Sequence, residues 1–293
     1  MNRDPEVIAV LTSFNRRALT LSCLEALEVS ARQAELRPSA ILVDDASTDG
    51  TGASVRERFP WVQVVEGSGT LFWNRAMHIG FELALERSVD YYFWLNDDTQ
   101  LVPGALSSLL EQSRALSTQE GSPVIVVGAT AEPSSGAISY GGRVARSRFR
   151  PFNYHLVWSA TSAVPCQAME GNCVLIPREI ATHVGNLDLV FEHAMGDADY
   201  GLRALRKGYK LFVAAGVVGY CSTNPLVGTH FDTSLPLHMR WKLILSRKGL
   251  PVRSWMHFCK RHGGLLWPLY FASPYTKLLV SGIGGIFLRR AGR

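Results

Sequence analysis

Short apolar runs that end abruptly in polar, acidic or glycine-rich turns recur along the first part of the chain. Val7-Ile8-Ala9-Val10-Leu11-Thr12 ends at Ser13-Phe14-Asn15-Arg16-Arg17. Ala40-Ile41-Leu42-Val43 ends at Asp44-Asp45-Ala46-Ser47, and Val62-Gln63-Val64-Val65 ends at Glu66-Gly67-Ser68-Gly69. Tyr91-Tyr92-Phe93-Trp94-Leu95 drops directly into Asn96-Asp97-Asp98-Thr99. Apolar runs of this length, bounded by turn residues, read as strands buried on both faces. Between them Leu19, Cys23, Leu24 and Leu27 recur at helical spacing, and a further helix is predicted over residues 73–87. Strand alternating with helix implies an α/β fold with a parallel, doubly wound sheet and right-handed crossovers. In such sheets ligands bind outside the carboxyl ends of the strands, so the polar turns are expected along one edge.

The pattern continues with a helix over 103–116 and a strand over 124–127. Residues 131–162 are rich in Gly, Ser and Pro and carry Arg143, Arg146, Arg148 and Arg150, which reads as loops and a hairpin over the sheet edge. Glu170-Gly171-Asn172 turns into a strand over 173–177, followed by a short helix over 178–183. In Gly196-Asp197-Ala198-Asp199-Tyr200, Asp197 and Asp199 fall in a first helical turn, where the helix dipole favours negative charge. Asp199 and Arg203, four apart, can pair on one face, which leaves Asp197 without a helix partner. Gly208 stops this helix.

Charge changes the picture at the C-terminal end. The net charge is +5, yet residues 233–293 hold eleven Lys and Arg and no acidic residue. The boundary suggests a catalytic-type domain over 1–232 and a basic, aromatic-rich helical tail over 233–293. Such a tail suggests a polyanion or an anionic membrane surface, and no nucleic acid is expected among the partners; a merely solvated basic face is the plainer alternative. Helices are predicted over 240–249 and 254–262. The apolar stretch over 264–288 is interrupted by Pro268, Pro274 and Lys277, short of the ~20 uninterrupted apolar residues a spanning helix needs. It reads as an interfacial segment with Trp267, Tyr270, Phe271 and Tyr275 at headgroup level and Arg289-Arg290 beyond. Five widely spaced cysteines without a CxxC argue against a disulfide framework or a zinc site and suit a reducing compartment. The N-terminus shows no signal-peptide pattern, so a cytoplasmic chain at the inner face of the plasma membrane is expected.

The candidate chemistry starts at Asp97 and Asp98. Two adjacent carboxylates at a strand end need a cation, and a divalent metal carrying a phosphate is the natural one. A turn or a helix cap is the plain alternative for each Asp in the chain.

Taken together, these stretches resemble the family 2 glycosyltransferases, inverting enzymes of the GT-A fold, over about residues 6–222. The segments that carry the resemblance are Thr12-Ser13-Phe14-Asn15-Arg16, Val43-Asp44-Asp45-Ala46-Ser47-Thr48-Asp49-Gly50-Thr51, Gly67-Ser68-Gly69 through Trp73-Asn74-Arg75-Ala76, Leu95-Asn96-Asp97-Asp98-Thr99 and Gly196-Asp197-Ala198-Asp199-Tyr200. The resemblance implies a nucleotide sugar held by Thr12, Ser13, Asn15, Asp44, Asp45, Trp73, Arg75, Asn96 and Asp97. It also implies Mg2+ or Mn2+ on Asp98, and Asp197 as the base that deprotonates an acceptor hydroxyl. His193, Asp199 and Arg203 would stand on the acceptor side. The acceptor would be an envelope glycan or a lipid-linked one, and a rhamnosyl or galactofuranosyl transfer is the subtype suggested. Asn96 replaces the first Asp of the family's DxD-type motif. Gly196 stands where many relatives carry Glu. Some members supply a His ligand about two dozen residues after the base, where this chain reads Val218-Gly219-Tyr220-Cys221-Ser222; His230 is the nearest substitute. Two rivals remain: a nucleotidyltransferase on a related sheet, and a non-catalytic, membrane-surface nucleotide-binding protein.

Overall fold

The computed structural model describes residues 4–291, with side chains described up to residue 281. Residues 1–3 and the side chains of Arg289 and Arg290 lie outside the described residues.

In chain order the elements are β1 (Val7–Ser13), α1 (Arg17–Gln33), β2 (Ala40–Asp44), α2 (Thr51–Arg58), β3 (Val62–Glu66), α3 (Phe72–Leu85) and β4 (Tyr91–Leu95). There follow β5 (Gln100–Leu101), α4 (Ala105–Glu120), β6 (Val124–Ala131), β7 (Ile138–Tyr140), β8 (Gly142–Ser147), β9 (Arg150–Val157), β10 (Val164–Cys166), β11 (Ala168–Met169) and β12 (Cys173–Pro177). The chain ends with α5 (Arg178–Val184), α6 (Gly196–Arg206), β13 (Lys210–Tyr220), α7 (Leu237–Ile244), α8 (Val252–His262) and α9 (Trp267–Ala291).

The main sheet has the order β10-β13-β6-β12-β4-β1-β2-β3. Strands β3, β2, β1 and β4 are parallel neighbours, and β6 and β13 form a second parallel pair. Strand β12 runs antiparallel between β4 and β6, which makes the sheet mixed rather than wholly parallel. This reversal matters for the site. It brings the amino end of β12, just after Glu170-Gly171-Asn172, to the edge where β1, β2, β4 and β13 end.

Alternation along β4 divides the core. Phe93 and Leu95 join a cluster with α1, α2 and α4, and Tyr92 and Trp94 join another with α3, α5 and α6. All four are at most 1% exposed. Full burial of such a side chain contributes about 1.5–3 kcal/mol, so a strand apolar at every position needs helices on both faces. Beside this sheet lies a three-stranded one, β11-β8-β9, over residues expected to form loops and a hairpin.

Strand β13 and helix α2 escaped the sequence pattern, as did the short strands β5, β10 and β11. Strand β13 is diluted by Ala214-Ala215-Gly216 and Gly219, and its pairing with β6 shifts register around Val217. Helix α2 has only Val55 as a buried branched apolar side chain, too little for a helical stripe.

The tail packs against the sheet domain. Trp255, Phe258 and Cys259 of α8 form a buried cluster with Phe191, and Phe152, Trp267, Tyr270, Phe271 and Tyr275 pack on it. Tyr275 donates its hydroxyl to the Leu250 carbonyl (2.7 Å), and the Trp255 indole donates to that of Phe271 (3.0 Å). The aromatics expected at headgroup level therefore face protein. Helix α9 continues through Pro274. Among the described residues no helix is long and apolar enough to cross a membrane. The five cysteines are free and buried.

Candidate active site

Three turns at the carboxyl edge are tied together by their own side chains. Asn15 adopts a left-handed conformation (φ 52°), which Asn tolerates better than most residues. Its amide donates to Ser47 Oγ (2.9 Å) and its Oδ1 accepts from the Thr48 amide (2.7 Å). Asp44 accepts from the Ser47 amide (3.1 Å). Asp45 accepts from the amides of Gly69 (2.7 Å), Leu71 (2.9 Å) and Phe72 (3.2 Å). These last bonds hold Phe72 at φ 58°, a strained position for a bulky residue. Both carboxylates are buried, at 6% and 5% exposure, and turned onto backbone. This differs from the expectation that they meet the base and ribose; they shape the loops. Ser13 is buried too, its hydroxyl 2.8 Å from that of Thr20, while Thr12 pairs through its backbone with Val43. Arg75, expected at a phosphate, lies 3.5 Å from Glu192.

The β4 turn carries the acidic pair. Asp97 is buried, and Asp98 keeps about a quarter of its side chain open. Arg16 spans both, with Nη1 at 3.2 Å from Asp97 Oδ1 and 2.7 Å from Asp98 Oδ2. Burial pushes the Asp97 carboxyl up to about 6; Arg16 pulls it down and Asp98 pushes it further up. The Cys221 thiol donates to Asp98 Oδ1 at 3.4 Å. So the segment in which a His was sought, and found wanting, does reach Asp98, through a sulfur whose burial raises its pKa to about 12.

The His230 ring lies tilted against that of Phe231, with centroids 3.9 Å apart, and the His230 carbonyl accepts from Arg240 Nε (2.9 Å). Among the described residues no group of three His, Cys, Asp or Glu side chains could hold a metal. The His230 carbonyl ties the loop after β13 to Arg240 of α7.

Asn96 explains itself through Trp73. The indole Nε1 donates to Asn96 Oδ1 (2.8 Å), and the Asn96 backbone N–H donates to the Asn172 carbonyl (3.0 Å). That side chain is committed to the joint between α3, β4 and β12. Trp73 is thus placed as a strut rather than as an open stacking platform. A Cβ on Gly171 would stand 2.3 Å from the Trp73 ring, so this close approach requires glycine.

Asp197 lies across that strut, in the first turn of α6. Its Oδ2 accepts from the Gly171 amide (3.1 Å) and its Oδ1 from the Ala198 amide (2.8 Å). Burial raises its pKa; these amides pull the other way. Gly196 has a packing reason as well: a Cβ there would stand 1.6 Å from Asn74 Oδ1. The Asn74 amide in turn donates to the carbonyls of Asp188 and Phe191 (both 2.9 Å). Position 196 has no space for a side chain.

Glu170, absent from the sequence-derived site, is half-buried near Asp197 and paired with Arg143 (2.7 Å). Its pKa is raised by burial, opposed by Arg143 and increased by Asp197. A Glu-Gly-Asn turn before a buried strand was the only signal for it. His193 sits edge-on to Phe72 at 6.1 Å between centroids, and its Nδ1 is buried without a hydrogen-bond partner. Burial, then the charges of Lys248 and Arg16, depress it to about 4.

Asp199 and Arg203 form the expected pair (2.8 Å), but not on an open acceptor surface. Asp199 is fully buried and also meets Arg261 (2.9 Å) and His262 Nε2 (2.8 Å) of α8. Despite that burial, these partners hold its carboxyl down to about 2. Arg203 donates to the carbonyls of Val184 (2.7 Å) and Asn186 (2.9 Å). Both residues pin α6 in place.

The donor set suits a hard cation of low protein coordination. Asp98 offers a partly open carboxylate oxygen, and a guanidinium already stands in the negative field. With one or two carboxylates, Mg2+ or Mn2+ would complete its shell from phosphate oxygens and water.

Residues 8–152 match the family model described as Glycosyl transferase family 2. Curated relatives include uncharacterized proteins of Mycobacterium bovis and Mycobacterium tuberculosis, each 30% identical over 148 residues, or 48% of this chain. The match covers 50% of each of them, so the chain spans about half the length of the curated relatives it matches. Among solved structures, a mannosyltransferase of Pyrobaculum calidifontis, in complex with GDP-Man and Mn2+, superposes with a TM-score of 0.52 at 17% identity. That match covers 95% of this chain and 81% of the other. The fold is GT-A-like, a mixed α/β sandwich around a mainly parallel sheet.

Proposed function

We propose, proceeding from the family 2 match, that the chain is an inverting glycosyltransferase. It moves a sugar from a nucleoside-diphosphate sugar to a hydroxyl of a cell-envelope glycan or lipid-linked acceptor. The observation that carries this reading is the Asp197–Gly171–Trp73–Asn96 chain of contacts. It sets one half-buried carboxylate across from the acidic turn, joined by a rigid strut.

In this reading the donor's diphosphate lies over the Asp97–Asp98 turn and the loops held by Asn15, Asp44 and Asp45. Bound at Asp98, Mg2+ or Mn2+ would supply positive charge to the departing diphosphate. Arg16 can turn its guanidinium from the carboxylates to a phosphate oxygen. Asp197 accepts the proton of the acceptor hydroxyl while that oxygen forms the new bond to the anomeric carbon. The bond to the diphosphate breaks on the opposite side, and nucleoside diphosphate leaves with the bonding pair. One base facing one leaving group gives inversion, as in inverting hydrolases. Burial supports the base role, since a raised pKa makes the carboxylate more basic.

The donor sugar is open between rhamnosyl, galactofuranosyl and mannosyl types. The GDP-Man bound by the similar structure puts guanosine diphosphate sugars early in a screen. The tail over 233–293 fits an acceptor held at the inner face of the plasma membrane. The test is release of nucleoside diphosphate from a panel of nucleotide sugars, with and without Mn2+. Release from one donor, dependent on metal, is expected. No release from any donor under either condition would contradict the proposal.

A further inference from the structure

The aromatics of the tail face protein, so a membrane contact, if the tail makes one, must come from other side chains. Leu265 is 98% exposed, Leu266 48% and Leu269 66%, all at the corner between α8 and α9. A second exposed apolar point stands elsewhere in sequence. Phe149, 66% exposed, forms the tip of the β8–β9 hairpin between Arg148 and Arg150, and the Arg148 guanidinium lies 4.7 Å from its ring centroid. Arg146, Arg148 and Arg150 are exposed as well.

These two apolar points belong to one packed unit. Phe152 of β9 meets Trp255 (5.5 Å), Phe258 (5.1 Å) and Tyr270 (5.5 Å), ring centroid to ring centroid. The hairpin is therefore docked on α8 and α9. At its other end β8 carries Arg143, which pairs with Glu170 beside Asp197. One hairpin connects the exposed tip to the neighbourhood of the proposed base.

We infer that the Phe149 hairpin tip and the Leu265–Leu269 corner form a single docking face for an anionic lipid surface. The argument for lipid is charge complementarity combined with apolar exposure. Arginines flank the phenylalanine, and residues 233–293 contain no carboxylate to oppose a negative surface. Apolar tips surrounded by cations are what an interfacial, non-spanning attachment needs. A single exposed leucine on a globular protein is unremarkable; several on a unit that also carries a basic aromatic tip call for a partner. The inference rests on the acceptor reading above: a lipid-linked acceptor in that surface would reach Asp197 along the hairpin.

The test uses the full chain and large unilamellar vesicles of phosphatidylcholine, with and without phosphatidylglycerol, read by co-sedimentation. The wild type is expected on the anionic vesicles and in solution with phosphatidylcholine alone. Phe149→Ser and the pair Leu265→Ser with Leu269→Ser should each weaken binding about tenfold, as expected for withdrawing a buried apolar side chain from the interface. Thermal melting should be unchanged, because these side chains are exposed. Absence of binding by the wild type, equal binding to both vesicle types, or Phe149→Ser binding at the wild-type level would each overturn the face. So would a concentration-dependent dimer abolished by the same variants without vesicle binding. Nucleotide release measured without vesicles separates the two claims: a vesicle-binding protein inactive on every donor loses the enzymatic reading and keeps the face.

Discussion

Arg16 neutralises two carboxylates that would otherwise repel each other at the end of β4. A divalent ion must compete with that guanidinium for Asp98. Arg16→Ala should therefore tighten Mn2+ binding in the absence of nucleotide, by about tenfold if one close charge is removed at a partly exposed site. Calorimetry with Mn2+ alone measures this; an unchanged or weaker affinity would take Arg16 out of the metal's path. The residues of this site divide by how far their reasons extend along the chain. Asp98 and Asp197 stand out in the sequence because each sits in a local motif. Cys221 does not: it meets Asp98 across 123 residues of sequence, through a strand that carries no clear alternation. Asp45 and Asn96 were legible as positions and misread as contacts, because what occupies their oxygens is backbone and an indole from other turns.

At the scale of elements, α6 carries Asp197, the carboxylate proposed as the base, and Asp199, the one that anchors the helix. Asp199 receives Arg203 from its own helix, and Arg261 and His262 from α8; Arg261 also holds Asp188 (2.6 Å). Removing one partner of a buried pair leaves a charge without compensation. Arg261→Ala is expected to cost about 3 kcal/mol of stability, visible in denaturant unfolding. A loss below 1 kcal/mol would show that Arg203 and His262 suffice. The sequence showed the Asp199–Arg203 spacing because it is helical and local. It could not show α8 arriving from the tail, so the pair looked available to an acceptor.

For the whole molecule, the α/β class and the edge where the turns gather followed from apolar runs buried on both faces. The antiparallel β12 did not, since a fully apolar strand has no directional signature. The tail was read as an appendage from its charge, while its aromatics in fact bury against Phe191 and Phe152. Acid should expose this coupling. Asp199 is held to about 2 from an ordinary 3.8. Its contribution is full above the unfolded carboxylate value and is lost as pH falls from about 4 towards 2, by roughly 2 kcal/mol. Asp199→Asn should flatten that part of the stability-versus-pH curve; an unchanged slope would assign the acid loss to other groups.

The central claim is that Asp197 removes the acceptor proton while other residues hold the donor. Its most direct test compares wild type with Asp197→Asn in two assays on the same preparation: nucleotide-sugar binding by calorimetry, and single-turnover transfer. Donor affinity should stay within about twofold, and transfer should fall by about 1,000-fold, within the range for loss of a general base. Equal loss of binding and transfer, or transfer that survives the substitution, would contradict it.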